Sequence, residues 1–478
     1  SLRIAAKLRQ IPMTSHLPIL IVGWLGVAYV LFRKLPGPVA VLAVVILGQL
    51  FLPEIVATPT EPGAPAALAL PVFKFTKANT IGYALLFGSL AADWRRWSTV
   101  APRWYDLPMA AWCACPLFPA LVNSIGPLGG LYEGGKQLLD QTLAWGVPYW
   151  CGRLYLGSRD GLRKACAAIV LGGMVYAPLC LAELRLSPQL HNWVYGYHQH
   201  DFIQTMRDGG YRPMVFMEHG LMVALWMATA ALTAFWLWHE RTFRVVGLLP
   251  SLPAIGLGWV ALGLTAVLLL MHSAGAVVLG SVGAAALYVG KRLQTAVPLW
   301  ILILLPPIYV TARYTEIWDG QDLVSLAREF VGPERADSLD FRLKNEYKLL
   351  NRAKEQPIFG WGDSGAARLV EGNTRSKIVT DSTWIITVGN RGLFGLAAFL
   401  AALMTPVLRY LGRRPFSAWD AHSPWAAPAA VLAVALSLYL LDHMVNAMVN
   451  PVFALVAGGL AGAMDQPELE RPVDGLAP

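Results

Sequence analysis

Charge is what this chain has least of. Only 14% of its 478 residues are Asp, Glu, Lys or Arg, against about a quarter in an ordinary soluble protein. A length that would otherwise make about three soluble domains cannot cover its surface with so few charges, so a water-soluble fold is excluded. Disorder is excluded for the opposite reason, because 56% of the residues are hydrophobic and such a chain collapses. Cysteine is scarce as well. Cys113, Cys115, Cys151, Cys166 and Cys180 all lie in apolar segments, away from polar loops where an oxidising compartment would pair them. They read as packing residues. Missing too are a P-loop, a dinucleotide fingerprint, the inverted half-repeat of many transporters, and a small-residue cleavage pattern after the basic Arg3, Lys7 and Arg9. These absences favour a membrane enzyme with a lipid-borne substrate over an ATP-driven pump.

What the chain does have is apolar runs, at 17–32, 36–53, 78–92, 105–125, 136–156, 165–185, 214–236, 251–271, 273–290, 297–313, 382–408, 426–443 and 450–465. They are continuous, not alternating, so they predict helices. The expected fold is all-α: a polytopic transmembrane bundle of about 12–14 spans. The formal charge of +8 points to basic cytoplasmic loops and not to nucleic acid. Basic stretches at 93–103, 153–164, 241–244, 291–292 and 409–414 can all be cytoplasmic. That leaves 54–77, 186–213 and 314–380 on the opposite, external face. It also places the N-terminus outside, which Arg3, Lys7 and Arg9 oppose; an interfacial first helix or one miscounted early span would resolve this.

The expected organisation is therefore N-terminal transmembrane helices over 1–313, a large loop over 314–380, C-terminal helices over 381–465 and a cytoplasmic tail over 466–478. The loop holds ten Lys/Arg and eleven Asp/Glu, so it is almost neutral and the +8 arises elsewhere. Loops this long usually have a role. Gln321–Phe330 is one predicted helix within it. Leu339, Leu343, Tyr347 and Leu350 recur at helical spacing in a second, which Ser338 can cap and Pro357 ends.

Ionisable groups at the ends of spans carry the candidate chemistry. In Gly209-Gly-Tyr-Arg-Pro-Met-Val-Phe-Met-Glu-His-Gly220, Arg212 is expected at the external mouth of a span, with Pro213 starting the helix and Glu218 and His219 one to two turns inside. Arg212 can grip a phosphate bidentately or snorkel beside Glu218. Arg342, near Asp340, Lys344, Glu346 and Lys348, is either a second such cation or part of a solvated face. Asp381 opens the next span as a base or as a cap. Tyr211, Lys136, Lys348, His272 and Arg391 complete the candidate substrate-binding set. Glu133, Lys136 and Asp140 share a helix face and can neutralise one another. Asp442, Asn446 and Asn450 form a stripe suited to helix packing, with His443 beside them. His191, His198 and His200 lack the carboxylate spacing of a metal site, and no metal or cofactor is expected.

Together with this topology, two glycine motifs carry a resemblance. Pro357-Ile-Phe-Gly360-Trp-Gly362 follows the basic loop helix, and Gly392-Leu-Phe-Gly395 follows the start of the next span. The pattern resembles the superfamily of O-antigen ligases and O-antigen or exopolysaccharide polymerases of bacterial inner membranes. That resemblance covers most of the chain in architecture, and residues 342–395 plus the Arg212 segment in motif. It implies metal-independent glycosyl transfer at the periplasmic face, from a glycan on undecaprenyl pyrophosphate, with membrane lipids, chain-length regulators and flippases as further partners. It implies that Arg212 and Arg342 contact the pyrophosphate. The family often has His-Asn opening the span after the loop, where this chain has Asp381-Ser382. That departure tilts the expectation toward a polymerase over a ligase. A flippase for a lipid-linked saccharide is the non-enzymatic alternative.

The mechanism expected on physical grounds needs cations for the leaving pyrophosphate. It also needs a base for the attacking sugar hydroxyl, from Asp381, Glu218 or His219. The loop would then exclude water, whose attack on the activated sugar is the competing reaction.

Overall fold

Apolar runs fold as helices because a helix satisfies its own backbone hydrogen bonds, and this chain uses little else. The computed structural model describes residues 17–55, 68–69, 73–123, 130–207, 209–247, 254–330, 332–363, 370–371, 376–377, 382–413 and 426–466. Its first helices are α1 (Leu17–Lys34), α2 (Gly37–Phe51), α3 (Lys77–Asp93), α4 (Leu107–Ala114), α5 (Leu117–Val122) and α6 (Gly130–Gln141). Next come α7 (Val147–Leu156), α8 (Arg159–Leu186), α9 (Leu190–Tyr195), α10 (Gly220–His239), α11 (Leu257–Leu270) and α12 (Ala274–Arg292). The last are α13 (Val297–Tyr314), α14 (Gln321–Phe330), α15 (Pro333–Ala353), α16 (Thr383–Arg413), α17 (Ala426–Asp442) and α18 (Pro451–Ala463). Sheet among the described residues is confined to two-residue antiparallel ladders such as Met206–Arg207 with Gly210–Tyr211. The expected all-α bundle is what the chain forms.

Among the described residues, six helical segments are long and apolar enough to cross a membrane: Trp104–Val122, α8, α10, α12, α13 and Thr383–Gly412. Four shorter apolar helices, α2, α11, α17 and α18, accompany them. This fits a membrane protein. The larger expected count includes these short helices and interrupted runs. Run 105–125 turns at Cys115-Pro116, and run 136–156 passes through a π turn at Thr142–Gly146. All five cysteines are buried and free.

Contacts sort the connections onto two ends of the bundle. At one end Arg153 bonds Asp106 (3.0 Å) and Asp465 (3.3 Å), and Arg409 bonds Asp465 (2.7 Å). Lys291 bonds Glu240 (2.7 Å), and Arg163 lies 4.5 Å over the ring of Phe243. The basic stretches 153–164, 241–244, 291–292 and the start of 409–414 therefore gather together. Here α7 and α18 cross closely: a Cβ at Gly458 would strike the Tyr149 carbonyl and one at Gly152 the Leu455 carbonyl, the small-residue packing of membrane helices. Glu54, Lys77, His191, Phe216 and Asp363 lie at the other end, joined by contacts with one another or around one cavity.

One buried carboxylate, together with Leu349, Leu350 and Ala353 in the core, docks the loop helices there. Glu346 on α15 accepts from Ser382 Oγ (2.8 Å), Tyr309 OH (3.1 Å) and Trp384 Nε1 (3.2 Å), and lies 3.6 Å from Arg313. Arg313 in turn donates to the carbonyls of Leu343 (3.0 Å), Trp318 and Asp319. Gln321–Phe330 has the bounds predicted for it, whereas the second loop helix begins at Pro333. Ser338 is therefore inside that helix and does not cap it. Proline fits a first turn, where its missing N–H has no partner to lose.

Candidate functional site

Helix α16 is broken at Gly392 (φ 64, ψ −167), a conformation essentially restricted to glycine. The two glycine motifs meet at this break. Leu393 N donates to Pro357 O (2.8 Å) and Phe394 N to Ile358 O (3.1 Å), while Trp361 N donates to Gly389 O (2.8 Å) and Gly362 N to Asn390 O (2.9 Å). The loop segment thus satisfies backbone groups that the break would orphan. The approach requires both glycines: a Cβ at Gly360 (φ 71) would lie 2.5 Å from Gly392 N, and one at Gly392 would strike the Ile358 carbonyl. The interlock fixes Arg391, whose guanidinium meets Asp363 at 2.5 Å.

Arg391 and Asp363 form one wall of a half-open cavity of about 330 Å³. Glu54, Lys77, Asn79, Asp140 and Glu218 line the rest, with Gln137, Gln141 and Trp145. Lys77 pairs with Glu54 (3.7 Å) and donates to Phe216 O (2.6 Å). Asp140 accepts from Asn79 Nδ2 (2.9 Å) and lies near enough to Lys74 and Lys136 for both to act on its charge. Burial pushes the Glu218 carboxyl up to about 8, reinforced by the neighbouring Glu54 and partly offset by Lys77.

The structure corrects the placement of Glu218 and His219. Pro213 does not start a helix. Residues 212–219 form an irregular lead-in with Val215 at φ 50, and α10 begins only at Gly220. His219 is its N-cap, accepting from Leu221 N through Nδ1 (3.0 Å). Neither residue lies inside the span.

His219 is also the centre of a cationic cluster. Its ring lies 5.0 Å from that of His200. Burial, then His200, Arg212, Arg342 and Arg207, hold the imidazole down at about 3, so it is neutral at physiological pH. Arg212 is buried, with Nη2 on the His272 carbonyl (3.0 Å) and its backbone N–H on Thr205 O (2.7 Å). Gly220 leaves room for it, since a Cβ there would lie 2.5 Å from Arg212 Cγ and Cδ. The His272 ring stands beside Gly210 in the hairpin that carries Tyr211. Arg342 arrives from α15 and donates to Val445 O (3.3 Å) and Asn446 Oδ1 (3.4 Å). Arg212 and Arg342, 130 positions apart in sequence, are thus both near enough to His219 to act on its charge.

Other candidates fall elsewhere. Lys348 is exposed on α15, and Lys136 is close enough to Asp140 to act on its charge. Asp381 lies outside the described residues. Helix α17 ends at Asp442, so Asp442, Asn446 and Asn450 share no helix face. Asn446 instead bonds Asp442 (2.7 Å) and Asn450 caps α18. His191 accepts from Glu54 N (3.1 Å), and His198 is engaged by the carbonyls of Pro188 and His200. Among the described residues no His/Cys/Asp/Glu group is arranged to hold a metal.

Sequence reading missed Glu54, Lys77 and Asp363. The available signal was position: Glu54 and Lys77 are charges placed directly at the ends of runs 36–53 and 78–92. Neither protein-family models nor curated proteins yield a match to the chain.

Proposed function

We propose that the protein is a membrane glycosyltransferase of the polysaccharide-polymerase type, working at the periplasmic face of a bacterial inner membrane. Its donor would be a glycan on undecaprenyl pyrophosphate and its acceptor another lipid-linked repeat unit. The observation that carries this reading is Arg212 packed on Gly220 beside His219, with Arg342 and Arg207 near enough for their charges to act on the same imidazole. Such a cluster suits a leaving group that develops negative charge. The acceptor hydroxyl attacks the anomeric carbon, the bond from that carbon to the phosphate oxygen breaks, and the pyrophosphate leaves onto Arg212 and Arg342. The hydroxyl proton passes to the Glu218 carboxylate, which faces the neighbouring cavity. The docked loop helices keep water from competing.

The test is turnover of a polyprenyl-pyrophosphate oligosaccharide by the protein in lipid nanodiscs, with products sized by electrophoresis. Lengthened lipid-linked chains support a polymerase. Transfer only to a lipid A core acceptor supports the ligase reading. Movement of substrate across a vesicle bilayer without chemistry supports a flippase and overturns the proposal.

A further inference from the structure

The cavity beside the cationic cluster has chemistry of its own. Its charges largely answer one another, Glu54 with Lys77 and Asp363 with Arg391, while Asp140 is held by Asn79 and faces the charge of Lys74, which also lines the space. What is left over is neither purely donor nor purely acceptor. Gln137 Oε1, Gln141 Nε2 and Arg391 Nη1 are buried atoms with no hydrogen-bond partner among the described residues, and all three residues line this space. Buried polar atoms are rarely left in that state, because each costs free energy. Arg391 is itself 7% exposed. Trp145 is the aromatic residue among those that line it.

A phosphate would need donors alone, an ammonium group acceptors alone, and a lipid tail neither. A ring bearing several hydroxyls needs donors, acceptors and a flat apolar face together. The volume, about 330 Å³, is at the small end of ligand pockets, roughly 300–1,000 Å³, and suits a single ring. We propose that this cavity binds one sugar residue, hydrogen-bonded by Gln137, Gln141 and Arg391, with its ring against Trp145. Glu218 on the same wall then meets the sugar hydroxyl. Only the further step of naming that sugar the acceptor rests on the glycosyl-transfer reading.

The test is saturation-transfer NMR on the protein in nanodiscs with methyl glycosides of glucose, galactose, N-acetylglucosamine and rhamnose. Benzyl phosphate and butylammonium are the controls. At least one glycoside should receive saturation and the controls none. Gln137→Leu/Gln141→Leu should weaken that binding roughly tenfold, as expected for two hydrogen bonds, at an unchanged thermal midpoint. Ala144→Phe fills the same cavity without deleting a polar group and should abolish the signal even if the double variant is unstable. Absence of any glycoside signal, or a signal indifferent to these variants, overturns the proposal. Donor turnover separates the two readings. Glycoside binding without turnover refutes the transferase alone. Turnover whose acceptor KM ignores the double variant refutes the sugar site alone.

Discussion

Replacing Glu346 by Ala should undock the loop helices. The carboxylate is 6% exposed, takes three hydrogen bonds and faces Arg313, which is equally buried. Its loss strands the guanidinium and leaves the Ser382, Tyr309 and Trp384 donors short of an acceptor. Removing one partner of a buried ion pair costs about 3–5 kcal/mol. Glu346→Gln keeps an acceptor oxygen but turns an N–H toward the cluster, so its cost should be smaller, about 1–3 kcal/mol. Arg313→Leu/Glu346→Leu removes both charges and should recover much of the loss, because apolar replacement of a whole buried pair is often neutral. Thermal unfolding in nanodiscs ranks the variants, and limited proteolysis within 321–353 reads undocking directly. Activity should fall with docking, since Arg342 is one turn from Glu346 on the same helix. If Glu346→Ala melted and was cleaved like the parent, or if the double variant were no better than the single, the carboxylate would not be the anchor.

The other predictions concern the site itself. Arg212→Ala and Arg342→Ala should each lower the rate about 10²–10³-fold, the effect of losing one preorganised donor, with unfolding unchanged; normal turnover in both would end the pyrophosphate role. Activity should climb as pH rises through about 8, where the Glu218 carboxyl ionises, and a pH–rate profile of Glu218→Gln should show no such rise. Gly392→Ala should cost at least about 1–3 kcal/mol from backbone conformation alone, more with the clash at Ile358, read as a lowered thermal midpoint.

Helical class was legible in the sequence because continuous apolar runs leave the backbone no other choice. The turns rich in Lys and Arg do collect around Arg153 and Arg409. Helix starts were less legible. Pro213 carries a start signal, yet Glu183 accepts from the N–H groups of Met214 and Val215 (2.8 and 2.7 Å), and this tertiary grip holds the segment irregular down to His219. The cavity was legible only in pieces. Asp140, Glu218 and Arg391 stood out as ionisable groups near spans, but their shared wall is set by helix crossings that no local spacing encodes.

The interlock at Gly360 and Gly392 has a mechanical consequence. Four backbone hydrogen bonds tie the loop segment to both sides of the break in α16, so the loop has no free hinge at that point. Any swing of residues 357–362 drags the half-helix 383–391 with it, and Arg391 moves as well. Moving this loop segment and reshaping the adjoining cavity are therefore a single stroke of one lever, with its fulcrum at a glycine.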